Sequence, residues 1–339
     1  MKNRTVDWSK GLSMECYVTV VEPTTWHDME RIEITGGSIS RSNEGMRTAA
    51  DVNFVDYDQS AERWIRVYMD VNQDNGGAEH VPLFTGLATS PDKTINGTLI
   101  TNRVKCDSVL LPASDMLLPR GWYAPATSRT DNTLKNLLSV TPAPLEIAEG
   151  IPDLKDHIVS EENESNLTMV DKILKAIGWR MQIQGDGTIS ILPEPDSASA
   201  LFDPIDYPCI ETELNVEYDW YSAPNVFRAV VNDEAVTVKD TDPESRLSTV
   251  SRGREIWKEE RNCNLNTGES LRGYAQRRLK EEQSVLYRVS YNRRFDPDVL
   301  ITDLVTLNYP EQQIQQTFQV WSQSITLGSA SISEEVRAI

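Results

Sequence analysis

The sequence predicts a mainly β protein with an α+β insertion. Two tube-like antiparallel β-barrels are expected, each braced by a helix or loop, with a small helix-hairpin module between them. Three observations carry this: short strands with period-two alternation at both ends of the chain, a run of prolines in the middle, and amphipathic helices standing directly beside strands. In the 339 residues the expected parts are a first barrel at 1–115, a proline-rich connector with the α+β module at 116–209, and a second barrel at 210–339 whose bracing helix runs from about 267 to 283.

Six strands are read at 16–21, 31–39, 50–54, 64–71, 81–89 and 98–106, separated by turns at Gly36-Gly37, Asn75-Gly76-Gly77 and Asn96-Gly97. Asn96-Gly97, set between Lys93-Thr94-Ile95 and Thr98-Leu99-Ile100, is a strong hairpin signal, because a type I′ turn needs two residues that tolerate positive φ. Six short strands in so few residues imply a barrel or a sandwich.

Pro112, Pro119, Pro125, Pro142, Pro144 and Pro152 then punctuate a segment with one short helix, capped by Asp131 and turning Leu134, Leu137 and Leu138 inward. A better helix is expected from Asn166 to Ile177. Ser165 is its N-cap, Leu167, Val170, Ile173, Leu174 and Ile177 form one face, and Gly178 is the left-handed terminator. It feeds a hairpin, 179–184 and 188–192, around Gly185-Asp186-Gly187.

After the linker from Pro193 to Pro208, strands are expected at 210–218 and 226–231, and residues 232–264 read as irregular and charged. The last helix places Leu271, Tyr274, Ala275 and Leu279 on one face, with Asn266 and Glu269 as a capping box. Strands follow around Val285 to Tyr291, Val305 to Tyr309 and Phe318 to Leu327. Leaned across a small barrel, the helix would bury both apolar faces.

Composition narrows the function. With 39% hydrophobic and 25% charged residues the chain is ordinary for a globular protein. No apolar run nears the roughly 20 residues that span a bilayer, and residues 1–12 carry charges where a secretory signal has an apolar centre, so a cytoplasmic origin is the default. Cys16, Cys106, Cys209 and Cys263 are too scattered for a zinc ribbon and read as buried thiols. A net charge of -19 argues against a surface that embraces nucleic acid.

No catalytic, cofactor-binding or metal site is assigned, and the chain is not read as an enzyme. His27, His80 and His157 are isolated from one another, without metal-ligand spacing. Gly268-Glu269-Ser270-Leu271-Arg272-Gly273 lacks the GxSxG spacing of a nucleophile elbow and opens a helix. Asp203, Asp206, Asp219, Glu259 and Glu260 can be named as a glycosidase-like carboxylate pool, but a polar β surface predicts them equally. Trp220-Tyr221, Trp122-Tyr123, Trp257 and Trp321 could stack on sugars; core or interface anchoring explains them more simply.

The ordered set of segments resembles the tail-hub proteins of tailed bacteriophages, the baseplate hub and late-control D group shared with contractile injection machines. The matching pieces are Leu83-Phe84-Thr85-Gly86, Leu167-Thr168-Met169 with Gly178-Trp179 and Gly185-Asp186-Gly187, and Pro224-Asn225-Val226-Phe227. They continue through Ser251-Arg252-Gly253-Arg254-Glu255, Tyr274-Ala275-Gln276-Arg277-Arg278-Leu279, Asp303-Leu304-Val305 and Gln319-Val320-Trp321-Ser322-Gln323-Ser324-Ile325. The resemblance implies a homotrimer whose two barrels per chain make a pseudo-sixfold ring, adapting a sixfold tail tube to a threefold tip. The implied partners are a tail tube or distal tail ring, a tip or spike protein, a tape measure protein in the channel, and DNA passing without specific binding. It implies a virion tail location after assembly in the bacterial host cytoplasm, and with no added module before Ile339 no lytic activity is carried over. If acids line the ring, DNA would meet repulsion there.

Overall fold

In the computed structural model the described residues are 6–46, 48–55, 61–74, 76–126, 128–203, 210–218, 220–231, 234–261, 263, 265, 269–284 and 287–338. The six expected N-terminal strands are all present: β1 (Ser13–Val21), β2 (Asp28–Ser42), β3 (Thr48–Val55), β4 (Arg63–Asn72), β5 (Ala78–Asn96) and β6 (Leu99–Ser108). β1 pairs with both β4 and β2, so the antiparallel run β1-β4-β5-β6-β3-β2 closes on itself. Alternation puts Val18, Ile39, Val52, Val67, Leu83 and Val104 inside. Each such side chain contributes about 1.5–3 kcal/mol by leaving water.

Two turn readings change. The β5–β6 hairpin closes at Asn96↔Leu99, so its loop is Gly97-Thr98, one residue later than expected. Gly97 alone takes positive φ (63°), matching a turn that needs its glycine first. Gly36-Gly37 is no turn: both residues lie within β2, where the β2–β3 register shifts between Ile34 and Gly36. A Cβ on Gly37 would stand 2.3 Å from the Asp51 carbonyl, so glycine lets the two strands approach at this bulge.

The middle part contains α1 (Leu111–Asp115), β7 (Tyr123–Ala124), α2 (Thr130–Leu138), β8 (Leu145–Ile147), β9 (Ile158–Val159), α3 (Asn166–Ile177), β10 (Trp179–Ile183) and β11 (Ile189–Pro193). Asp131 sits inside the first turn of α2, whose N-cap is Arg129 with no side-chain cap bond, so it favours the helix by its charge rather than as a cap. α3 forms as read: the Ser165 hydroxyl accepts from the Thr168 amide and Gly178 ends the helix at φ 67°. Its Val170, Ile173 and Leu174 pack with Leu134, Met181, Ile189 and Ile191.

The remaining elements are β12 (Ala200–Phe202), β13 (Ile210–Tyr218), β14 (Val226–Val231), β15 (Glu234–Lys239), α4 (Thr249–Arg252), β16 (Trp257–Arg261), α5 (Leu271–Ser284), β17 (Tyr287–Arg294), β18 (Leu304–Tyr309), β19 (Ile314–Thr326) and β20 (Ser331–Ala338). The passage read as irregular therefore holds β15, β16 and α4. α5 forms where expected, but it packs on β14 and β15 of the separate sheet β15-β14-β16, through Leu271, Tyr274, Ala275 and Leu279 against Phe227, Ala229 and Val238. The strands that follow α5 satisfy their own apolar residues within the terminal sheet, where Val289, Tyr291, Val305, Leu307 and Val320 meet. Ser270 caps α5 by accepting from the Gly273 amide, while Glu269 is taken by Arg277; Asn266 lies outside the described residues.

β19 joins the halves. Its first part, Ile314 to Gln319, pairs with β18; after a bulge at Trp321, Ser322 to Thr326 pair with Ser42 to Ser38 of β2, and its other edge pairs with β20. The β10–β11 turn is wedged beside this joint. Thr85 donates to the Gly185 carbonyl (2.9 Å), and Trp26 Nε1 and Arg66 donate to the Asp186 carbonyl (2.9 and 3.1 Å). A Cβ on Gly185 would lie 1.9 Å from the Pro82 carbonyl. From the same hairpin, Arg180 reaches Thr302 and Asp303 (2.8 and 3.0 Å), and Gln182 reaches the Ile301 carbonyl (2.9 Å). Gly185→Ala should therefore lower stability by about 2–3 kcal/mol in urea unfolding. Gly11→Ala, where a Cβ has open space, should shift it by no more than about 0.5 kcal/mol.

Candidate functional site

Continuity across the β2–β19 joint gives the chain one antiparallel run, β5-β6-β3-β2-β19-β20-β17-β13. One face of this run is the core of the two halves; the other is polar along its whole width. Register carries that face from Asp92, Arg103 and Asn53, through Lys105, Asp51, Ser38 and Thr326, to Ser324, Ser333 and Asn292, and on to Glu335, Ser290 and Asn215. These side chains alternate with the buried Val104, Val52, Ile39, Ile325, Ile332 and Val289. A wide, gently polar strip of Ser, Thr and Asn is what a sheet presents to water rather than to another sheet.

The strip carries both signs of charge. Arg103 pairs with Asp51 of the neighbouring strand (3.0 Å), and Arg337 pairs with Glu335 two residues before it on β20 (2.8 Å), while Asp92, Glu213 and Glu217 lie in phase with the same face.

Beneath the strip, at the joint, lies a buried polar chain. Arg293 of β17 and Glu334 of β20 are fully buried and doubly bonded (2.5 and 2.7 Å), and the Tyr291 hydroxyl also donates to Glu334 (2.9 Å). Gln323 of β19 donates to Glu334 (2.7 Å), and its own carbonyl accepts from Arg41 of β2 (3.1 Å). Arg41 then caps the Leu83 carbonyl of β5 (2.6 Å). Burial, with the like charge of Arg293 nearby, pulls the Arg41 guanidinium down to about 10, while burial and then Glu334 push the Tyr291 phenol well up. None of the four charged or amide members, Arg41, Gln323, Glu334 and Arg293, is anticipated as a core residue from the sequence. The signal was their phase: Arg293 continues the inward positions of Val289 and Tyr291, and Glu334 those of Ile332 and Val336.

The residues singled out from sequence are dispersed. His27 and His157 are exposed, and His80 stacks on Tyr68 (4.1 Å) with its Nδ1 2.5 Å from Asp70. No cluster of three metal-ligating side chains occurs among the described residues. Asp203 accepts from Asn308 (2.5 Å), Glu259 pairs with Arg261 (2.7 Å), and Glu260 accepts from Tyr274 (2.6 Å) and Arg278 (3.2 Å). The structure thus brings none of these acids together as a catalytic pair; Asp206, Asp219 and Cys209 lie outside the described residues. Cys106 and Cys263 are buried free thiols and Cys16 is half-buried. Ser270 serves as a cap and Gly268 lies outside the described residues. Trp122 packs against the middle core with Tyr123 exposed beside it. Arg337 lies over Trp321 (3.8 Å), Lys239 over Trp257 (5.7 Å) and Arg254 over Tyr221 (5.6 Å), while Trp220 meets Tyr218 edge-on. No helix among the described residues is long and apolar enough to cross a membrane.

No protein-family model and no curated protein matches this sequence. Among solved structures, the chain is similar to a tail protein from Neisseria meningitidis, at 15% identity and TM-score 0.71, covering 96% of each chain. It is also similar to a 43 kDa prophage tail protein from Shewanella oneidensis, at 12% identity and TM-score 0.68, covering 96% of this chain and 98% of that one. A prophage tail protein from Listeria monocytogenes follows at 13% identity and TM-score 0.55, covering 95% and 94%. The fold is that of phage tail proteins, in keeping with the resemblance read from the segments.

Glu334→Gln should destabilise the chain by about 3–5 kcal/mol, because Arg293 would remain buried without its counter-charge. Arg293→Met combined with Glu334→Leu should recover most of that loss, and Ser324→Ala on the polar face should change stability by less than about 0.5 kcal/mol in the same denaturation series.

Proposed function

We propose that this protein is the structural, non-catalytic hub of a phage tail tip or baseplate. Three copies form a ring that adapts the sixfold tail tube to a threefold tip and leaves a channel for DNA. The observation that supports this most is the single antiparallel run across both halves of the chain, with one face committed to the two cores and the other polar throughout. A sheet of that kind suits a tube wall: the inner face meets water and passing polymer, and the outer face carries the packing. In this reading the parts are the barrel at about 1–115, the second tube-like part at about 210–339, and the module at 116–209 that wedges them apart.

The partners this role requires are a tail tube or distal tail ring above, a tip or spike protein below, and a tape measure protein in the channel. DNA passes without specific binding. The protein then resides in the virion tail after assembly in the host cytoplasm. A carbohydrate-binding role would fall to the exposed Trp220, Tyr221 and Trp257, but Arg254 and Lys239 already stand over two of those rings.

Electron-microscope class averages of the concentrated 339-residue chain, with mass measured alongside, should show open-centred threefold rings of sixfold outline at three times the 38.2 kDa chain mass. Compact particles of single-chain mass would overturn the ring.

A further inference from the structure

Two buried guanidiniums share one buried carboxylate at the β2–β19 joint, and the one left over lines an open cleft. We propose that this cleft binds a peptide's terminal carboxylate with basic residues close behind it. The carboxylate meets Arg41 and Ser190, and the basic groups meet the acids of the walls. Such a site goes beyond the hub role and exists with or without the ring.

Glu334 gives both of its oxygens to Arg293. Arg41, only 5% exposed, is bonded instead to the side-chain carbonyl of Gln323 and the main-chain carbonyl of Leu83, both neutral. It forms no ion pair with any described carboxylate, and other N–H donors of its planar fork stay unspent. A buried cation without a contacting counter-ion is costly, so an anion delivered through the cleft would be held firmly.

The cleft encloses about 890 Å³, within the range of about 300–1,000 Å³ usual for ligand sites. Its back wall is the polar face of the sheet β10-β11-β8, whose other face carries Met181, Ile183, Ile189 and Ile191 into the middle core. Register lays Gln182, Ser190 and Glu146 in one row across that polar face. Gln182 is satisfied by the Ile301 carbonyl and Asp303. Ser190 is not: it is 5% exposed, lines the cleft, and its hydroxyl has no hydrogen-bond partner among the described residues. Arg41 and Ser190 are thus two buried donors facing the same space.

The walls decide what kind of anion can enter. Glu79 stands on the β5 side, Glu146 and Asp186 on the module side, and Asp298 on the segment after β17. Asp303 also lines the space, but Arg180 already pairs with it (3.0 Å). These acids repel a bare anion and attract one that brings its own cations. Extended backbone advances about 3.3–3.6 Å per residue, so a lysine or arginine one or two positions before a carboxylate at Arg41 reaches them. Walls from the first barrel, the module and the 295–300 segment suit a chain that ends at the floor. Free lysine or arginine carries the same pair of charges and is the other source of this chemistry.

Calorimetric titration of the 339-residue chain tests the site, with three probes: acetyl-Ala-Lys-Lys-Ala bearing a free carboxylate, the same peptide as its C-terminal amide, and free L-lysine. The expected result is saturable one-site binding of the free acid, with the amide at least about tenfold weaker. Ser190→Ala should weaken the free acid roughly tenfold, as loss of a donor to a charged acceptor does. Glu146→Lys, at an exposed position, should weaken it several-fold and turn the preference toward the uncharged acetyl-tetra-alanine acid. Unchanged urea midpoints in both variants would show that the fold is intact. L-lysine binding as tightly as the peptide would uphold the site and assign it to the free amino acid. Equal binding of acid and amide, no heat from any probe at millimolar concentration, or an unweakened Ser190→Ala would overturn it. Particle mass in the same samples judges the ring separately.

Discussion

The contact between β2 and β19 is the constraint on which the rest of the molecule depends. Five residue pairs turn two separate strand systems into one surface, and the buried chain Arg41–Gln323–Glu334–Arg293 fixes which five. Two guanidiniums and one carboxylate in a protein interior contribute little net stability compared with apolar side chains of the same size. They supply register instead. A slip of one residue would turn Arg41 into water and bury Ser40 or Ser42 against Gln323, stranding several donors and acceptors at once.

The hairpin from the middle module acts on the same joint from outside. Its turn enters the first barrel through Gly185 and Asp186, and its strand β10 holds the 301–303 segment through Arg180 and Gln182. Both ends of the wedge are hydrogen-bonded into different halves of the molecule, so the angle between the halves is set by side chains distant in sequence from either. In the proposed ring, that angle is the quantity that must not drift.

Much of the local structure was legible because it depends on near neighbours. Ser165, Gly178 and the apolar face between them define α3, and alternation alone locates the six strands of the first barrel. What escaped were features determined by contacts far along the chain. Gly36-Gly37 looks like a turn until β3 is seen to approach it. β20 was missed because its inward positions include Glu334, and a carboxylate counts against a core face unless its partner Arg293 is known. β16, with the sequence Trp-Lys-Glu-Glu-Arg, carries no apolar alternation and is a strand only because β14 pairs beside it. The polar strip was hidden in the same way: serines alternating with Ile and Val describe any half-buried strand, and their alignment across eight strands exists only in three dimensions.

The distribution of charge sharpens the reading of that strip. Residues 220–284 contain eleven Lys and Arg against eleven Asp and Glu, so the whole excess of -19 lies elsewhere. Part of it is exposed on the middle module, at Glu149, Asp153, Asp156, Glu161 and Glu162. On the strip Arg103 pairs with Asp51 across strands and Arg337 with Glu335 along β20. In the proposed ring this gives a wall that neither repels nor holds DNA strongly: tight adhesion requires unpaired cations that displace counterions, and here Arg103 and Arg337 already face Asp51 and Glu335. Hydroxyl and amide groups fill the space between. Low friction in such a channel would come from charge neutralised in place rather than from a surplus of negative charge, and the acidic exterior is left to keep so large an exposed surface soluble.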